Sequence, residues 1–281
     1  MESVTLFVAG RNRRFRVVRP APPCQGSGWP IVLALPGTGA TADWADDETG
    51  WSTQAVGSRT LLAIPEGSPP DPLKPPKFLT NPPRWNDGST QSGDPIHSDA
   101  DDVAFLDAIV DYLIIAEQGD PQRVFLTGFS NGAGMIFRYA SERAERITAI
   151  APVAGHCWID PGRLSRVVPT LYLVGTVDPL LPLAGGPARL PWGGRVVQRP
   201  TIDATLTRWA IGLGLPGEPT QIIDGTDQEK IYGDDASFRA IFLGGHGHHW
   251  PGGLGRLHPR YGGPCRDYPA NQVIWSFFLG Q

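Results

Sequence analysis

At 281 residues, 41% hydrophobic and 19% charged, the chain is large and apolar enough to bury a sizeable core, which excludes a disordered or coiled-coil protein. Its 35 glycines and 29 prolines follow no collagen period and form no low-complexity tract, so they exclude a helical bundle and predict long, shaped loops. A net charge of −4 speaks against a nucleic-acid partner, and no apolar stretch approaches the roughly 20 residues that span a bilayer.

In chain order, residues 4–9 and 15–19 alternate apolar and polar side chains and predict an antiparallel hairpin. The only dense basic cluster, Arg11, Arg13, Arg14, Arg16 and Arg19, falls here and is expected to form a solvated sheet edge. The opening Met1-Glu2-Ser3-Val4 lacks the basic region and apolar core of a secretion signal. That implies a cytoplasmic protein if Met1 is the native start, and a secreted one if a signal has been removed. Residues 31–35 and 61–64 are continuous apolar runs ending at Pro36-Gly37 and Pro65-Glu66-Gly67, as in strands buried on both faces. Residues 68–83 are too rich in proline for a helix or a central strand.

Ser98, with Asp101 three residues on, predicts a capped helix from 98 to about 117. Its buried face would carry Val103, Leu106, Ile109, Val110 and Leu113. Asp99, Asp101 and Asp102 are read as first-turn acids rather than as a metal or catalytic site, and His97 as a loop residue. Strands follow at 124–129, 147–153, 170–175 and 238–243, and helices at 132–144, 202–213 and 272–278. Strand–helix alternation of this kind predicts an α/β protein, with a mostly parallel central sheet and helices on both faces. Without an internal repeat or a second composition regime, residues 1–281 are expected to form one domain.

The sharpest local signal is Gly128-Phe129-Ser130-Asn131-Gly132, a G-x-S-x-G pentapeptide between a strand and a helix. A nucleophile elbow needs that context: the serine sits on a strained turn, and small neighbours keep strand and helix from clashing. A serine hydroxyl attacks only when a base takes its proton and an acid orients the base. In an α/β-hydrolase these follow in the order Ser, Asp or Glu, His. Asp178 lies just past the strand at 170–175, and a histidine-rich loop, residues 243–253, follows the strand at 238–243. An oxyanion hole needs two backbone N–H groups. Asn131, directly after the serine, is one candidate. Thr38, in the turn Pro36-Gly37-Thr38-Gly39, is the other, since proline has no N–H to give.

Seven segments, spread in one order over nearly the whole chain, resemble a known family. They are Leu-Pro-Gly-Thr-Gly (35–39), Trp-Asn-Asp-Gly (85–88), Asp-Asp-Val-Ala-Phe-Leu (101–106) and Arg-Val-Phe-Leu-Thr-Gly-Phe-Ser-Asn-Gly-Ala-Gly-Met (123–135), then Ala-Pro-Val-Ala-Gly (151–155), Val-Gly-Thr-Val-Asp (174–178) and His-His-Trp-Pro-Gly-Gly (248–253). The chain is similar to the poly(3-hydroxybutyrate) depolymerase and feruloyl esterase-like group of the α/β-hydrolase superfamily. The resemblance implies the α/β-hydrolase fold and a cofactor-free serine carboxylic ester hydrolase with Ser130, Asp178 and His248 as its triad. It selects His248 because the group's usual pattern is Gly-Gly-Gly-His-x-Trp-Pro-Gly. His246 then stands where a glycine is usual and is the second candidate base, and His249 is read as a loop-packing residue. Many relatives have His-Gly where this chain has Pro36-Gly37, a change in the surroundings of the oxyanion hole but not in its amides. The implied partners are small or oligomeric esters: 3-hydroxyalkanoate oligomers, or feruloyl or acetyl esters of plant polysaccharides. Nothing in the sequence decides the oligomeric state.

Other functions fit parts of the same pattern. A metal-dependent hydrolase could use His246, His248, His249 and His258, but their spacing matches no H-E-x-x-H helix and no acid lies within the cluster. No metal is therefore expected. A non-catalytic binding protein on the same fold would keep the pocket without the chemistry, and an acetyl-xylan-type or general short-chain esterase would carry the same triad. Trp44, Trp51, Trp85, Trp158, Trp192 and Trp250 fall near the motifs, as a mixture of cleft wall and loop anchors. Trp85 and Trp250 are expected to line the cleft. The walls that choose the substrate are assigned to residues 69–83 and 182–200. Cys24, Cys157 and Cys265 form no C-x-x-C pair. A Cys157–Cys265 disulfide is considered first among pairings, with buried free thiols preferred.

Overall fold

The computed structural model describes residues 1–22, 26–89, 100–235 and 237–281; Cys24, His97, Ser98 and Asp99 lie outside them. The chain opens with β1 (Glu2–Val8) and β2 (Arg11–Val18), paired antiparallel with Val8 opposite Arg11. Ala9 and Gly10 both adopt positive φ, 47° and 78°, the backbone that a two-residue hairpin turn demands. Then come β3 (Trp29–Leu35), α1 (Ala42–Thr49), α2 (Trp51–Ser58), β4 (Leu61–Pro65), α3 (Asp102–Glu117), β5 (Gly119–Phe129), α4 (Asn131–Glu142), β6 (Ala149–Val153) and β7 (Thr170–Gly175). The remainder is β8 (Gly186–Arg189), β9 (Val196–Arg199), α5 (Ile202–Leu213), β10 (Gln221–Ile223), β11 (Gln228–Tyr232), β12 (Phe238–Leu243) and α6 (Ala270–Leu279).

Ten strands form one sheet in the order β1-β2-β4-β3-β5-β6-β7-β12-β11-β10. The centre, β4-β3-β5-β6-β7-β12, is parallel, and the pairs at both margins are antiparallel. The apolar runs read as two-sided strands are so. Ile31, Leu33 and Leu35 join a cluster with Val103, Leu106 and Ile109 of α3, Met135 and Ile136 of α4, and Leu206 and Trp209 of α5. Val32 and Ala34 face the other way, against Ala42 and Ala45 of α1, Trp51 and Ala55 of α2, and Ile274 and Phe278 of α6. Helices thus cover both faces, and the polar backbone of the central strands is satisfied within the sheet.

Two expectations change. The basic cluster is not a solvated edge, because β1 covers β2 and forms the margin itself. Arg13 points inward with Phe15 and Val17; its guanidinium lies 2.7 Å from Asp102 and over the Phe105 ring at 4.2 Å. Arg14 and Arg16 pair with Glu66 and Asp43. Helix α3 begins at Asp102, not Ser98, and Asp101 is its N-cap, accepting from the Ala104 amide at 2.9 Å. Asp102 is the first-turn acid expected, and it is also buried, holding Arg13 and the Asn86 amide (2.7 Å); burial pushes its carboxyl up against the pull of Arg13. The short helices α1 and α2, split by the left-handed Gly50 (φ 70°), and the strands β8 to β11 carry too little periodicity to be read in advance.

Candidate active site

Parallel strands end on the same edge of a sheet, so loops far apart in sequence gather there. Ser130 stands between β5 and α4 with φ 54° and ψ −116°, a backbone that costs a non-glycine residue roughly 1–3 kcal/mol. The elbow closes so tightly that a Cβ on Gly132 would lie 2.3 Å from the Leu35 carbonyl oxygen. Only glycine fits where helix α4 crosses the end of β3. Asp178 follows β7, and His248 sits in the loop after β12, the parallel neighbour of β7. These two loops pack backbone on backbone: a Cβ on Gly175 would fall 2.1 Å from the His246 carbonyl oxygen, and the Val177 amide donates to that oxygen at 3.1 Å.

The result is a continuous hydrogen-bonded line. His248 Nε2 lies 3.1 Å from Ser130 Oγ, and His248 Nδ1 lies 2.6 Å from Asp178 Oδ2. A carboxylate can only accept, so Nδ1 carries the proton and Nε2 is left to accept from the serine hydroxyl. Asp178 is itself held: its Oδ1 accepts from the amides of Leu180 (2.8 Å) and Leu181 (3.0 Å). The Phe129 ring, 4.8 Å from the imidazole, packs against His248. Thr38 and Asn131 line the same cleft, and among the described residues neither amide finds an acceptor within the protein.

The neighbouring histidines do other work. His246 donates from Nε2 to the His249 carbonyl (2.9 Å) and accepts at Nδ1 from the Cys265 amide (2.7 Å), so both ring nitrogens are occupied in shaping the loop. His249 donates to the Gly262 carbonyl. Burial holds both below the usual histidine range, hence neutral. Among the described residues no three His, Cys, Asp or Glu side chains converge as metal ligands do. Cys157 and Cys265 are unpaired thiols; burial pushes Cys157 up to about 12.

The cleft has a volume of about 450 Å³. Its aromatic lining comes from Trp44, Phe78, Phe129, Trp158, Trp192 and Tyr261. Neither tryptophan expected there takes part. Trp85 is buried beneath the turn Pro36-Gly37-Thr38-Gly39, its indole donating to the Pro36 carbonyl at 2.8 Å. Its own amide and carbonyl clasp the Asn131 side chain at 2.7 and 3.2 Å. Trp250 is buried behind Phe129, against Trp51 and the Asn271 side chain. Both hold the floor of the site in place, since a ring that anchors a loop must turn its face inward. His156, also in the lining, escaped sequence reasoning; it follows a predicted strand by only a few residues, and nothing local marked it as facing the cleft.

No family profile matches the chain. The fold is that of an acetyl xylan esterase from Aspergillus awamori, with a TM-score of 0.62 over 100% of both chains at 14% identity. In sequence, NocK of Nocardia uniformis subsp. tsuyamanensis, a protein named as an esterase, is 31% identical over 297 residues, covering 98% of this chain and 81% of NocK. The chain belongs to the esterases of the α/β-hydrolase superfamily. Feruloyl esterase B of Piromyces equi is 30% identical over 150 residues, which span 52% of this chain and 27% of that protein. This esterase is a carboxylic ester hydrolase.

Proposed function

We propose that this esterase works through an acyl-enzyme on Ser130. His248 takes the serine proton as Oγ attacks the ester carbonyl, then returns it to the leaving alcohol. Asp178 fixes the imidazole tautomer and stabilises the imidazolium that forms. The amides of Thr38 and Asn131 hold the developing oxyanion, helped by the positive end of α4, which starts at Asn131. Water, activated by His248, then hydrolyses the acyl-enzyme. The route uses side chains and backbone amides alone and calls on no cofactor. The unbroken line Ser130–His248–Asp178, with its acid anchored by two amides, carries this reading.

The cleft's aromatic walls favour esters of aromatic or compact apolar acids, the class to which the name Feruloyl esterase B points. The deciding experiment is labelling with a serine-reactive phosphonate followed by intact-mass analysis. One adduct is expected on the wild type and none on Ser130→Ala. An unlabelled enzyme whose turnover stops with a chelator would overturn the proposal.

A further inference from the structure

The two segments that sequence assigns as substrate walls meet over the cleft. Strands β8 and β9 form a separate two-stranded sheet with its own small cluster, Ala188, Leu190 and Val197, and Trp192 packs on it from the tip. Facing it across the mouth is Phe78 of the proline-rich segment. The Trp192 indole Nε1–H donates to the Phe78 carbonyl at 2.6 Å, and the two rings lie 5.7 Å apart. Phe78 in turn rests on the oxyanion turn: a Cβ on Gly39 would fall 2.4 Å from its ring, and the Gly39 amide donates to Pro83 at 2.7 Å. Trp192, Phe78 and Gly39 therefore make one continuous wall, running from the hairpin tip down to the turn that carries the Thr38 amide.

We infer that Trp192 is the specificity-determining residue of this esterase, a stop that admits compact esters and excludes extended chains. The inference rests on the cleft being the ester site proposed above. In this proposal an extended ester arm leaves the cleft past the Trp192–Phe78 contact, which breaks an indole hydrogen bond and separates two rings. A compact acyl group leaves both in place. The hairpin that carries Trp192 has its own cluster, apart from the two that flank the main sheet.

The test compares kcat/KM for p-nitrophenyl acetate and p-nitrophenyl octanoate in the wild type, Trp192→Phe and Trp192→Ala. The wild type is expected to prefer acetate. Trp192→Ala should raise the octanoate-to-acetate ratio of kcat/KM about tenfold, chiefly through a lower KM for octanoate. Trp192→Phe, which keeps a ring but loses the indole donor, should fall between them. An unchanged octanoate-to-acetate ratio in Trp192→Ala overturns the inference, as does an equal fall for both esters or a wild type that prefers octanoate. Turnover that survives Ser130→Ala would overturn the site assignment itself, and the role of Trp192 with it.

Discussion

His156 links the cleft floor to the stability of the whole fold. It is 2% exposed, with Nδ1 2.8 Å from Thr205 Oγ1 on α5 and its ring edge-on to Trp158 at 4.8 Å. Burial, followed by repulsion from Arg199, brings its pKa down to about 3 from an ordinary value of 6.5. The unfolded chain gains this proton near the ordinary value, and the folded chain only near the depressed one. In the window between them the unfolded state holds the extra proton, so stability falls as pH falls. Linkage gives a loss of about 2 kcal/mol from this one group between about pH 7.5 and about pH 5. His156→Phe keeps a ring against Trp158 and removes the titration. Its loss of the Thr205 partner is the same at both pH values and cancels. Urea unfolding of both proteins at each pH measures the difference. The wild type should lose about 2 kcal/mol more than the variant on acidification. Equal losses would mean that His156 is not a buried neutral group in the folded protein.

Two further outcomes are expected. His248→Ala should lower kcat by roughly a thousandfold or more, whereas His246→Ala, which removes two hydrogen bonds within the loop, should cost about 1–3 kcal/mol of stability and far less turnover. A larger kinetic loss in His246→Ala, measured on folded protein, would exchange their roles. Arg13→Met leaves the Asp102 carboxylate buried without its cation and should cost about 3–5 kcal/mol in urea unfolding, against less than about 1 kcal/mol for Arg14→Met at the exposed Glu66 pair.

Local chemistry determined much of this protein in advance. Residues 31–35, 61–64 and 170–175 are apolar without alternation, and only a strand covered on both faces needs that. The elbow was legible because its demands fall within five residues: glycines at 128 and 132 are required by contacts to β3 and α4 that any such turn must make. That Ser130, Asp178 and His248 would meet at one edge of the sheet was legible because parallel strands bring their carboxyl ends together. Which way a side chain faces was not. Arg13 resembles its neighbours in sequence, and only the covering strand β1 and the approach of Asp102 bury it. Trp85, Trp250 and Trp192 are alike as residues in glycine- and proline-rich loops. The fold turns the first two inward, to the Pro36 carbonyl and to Trp51, and leaves the third at the cleft mouth on Phe78. Sequence alone determined the sheet and the elbow, because each rests on neighbours along the chain. The cleft walls depend on contacts between loops more than a hundred residues apart, such as Phe78 and Trp192, and only the tertiary structure could decide them.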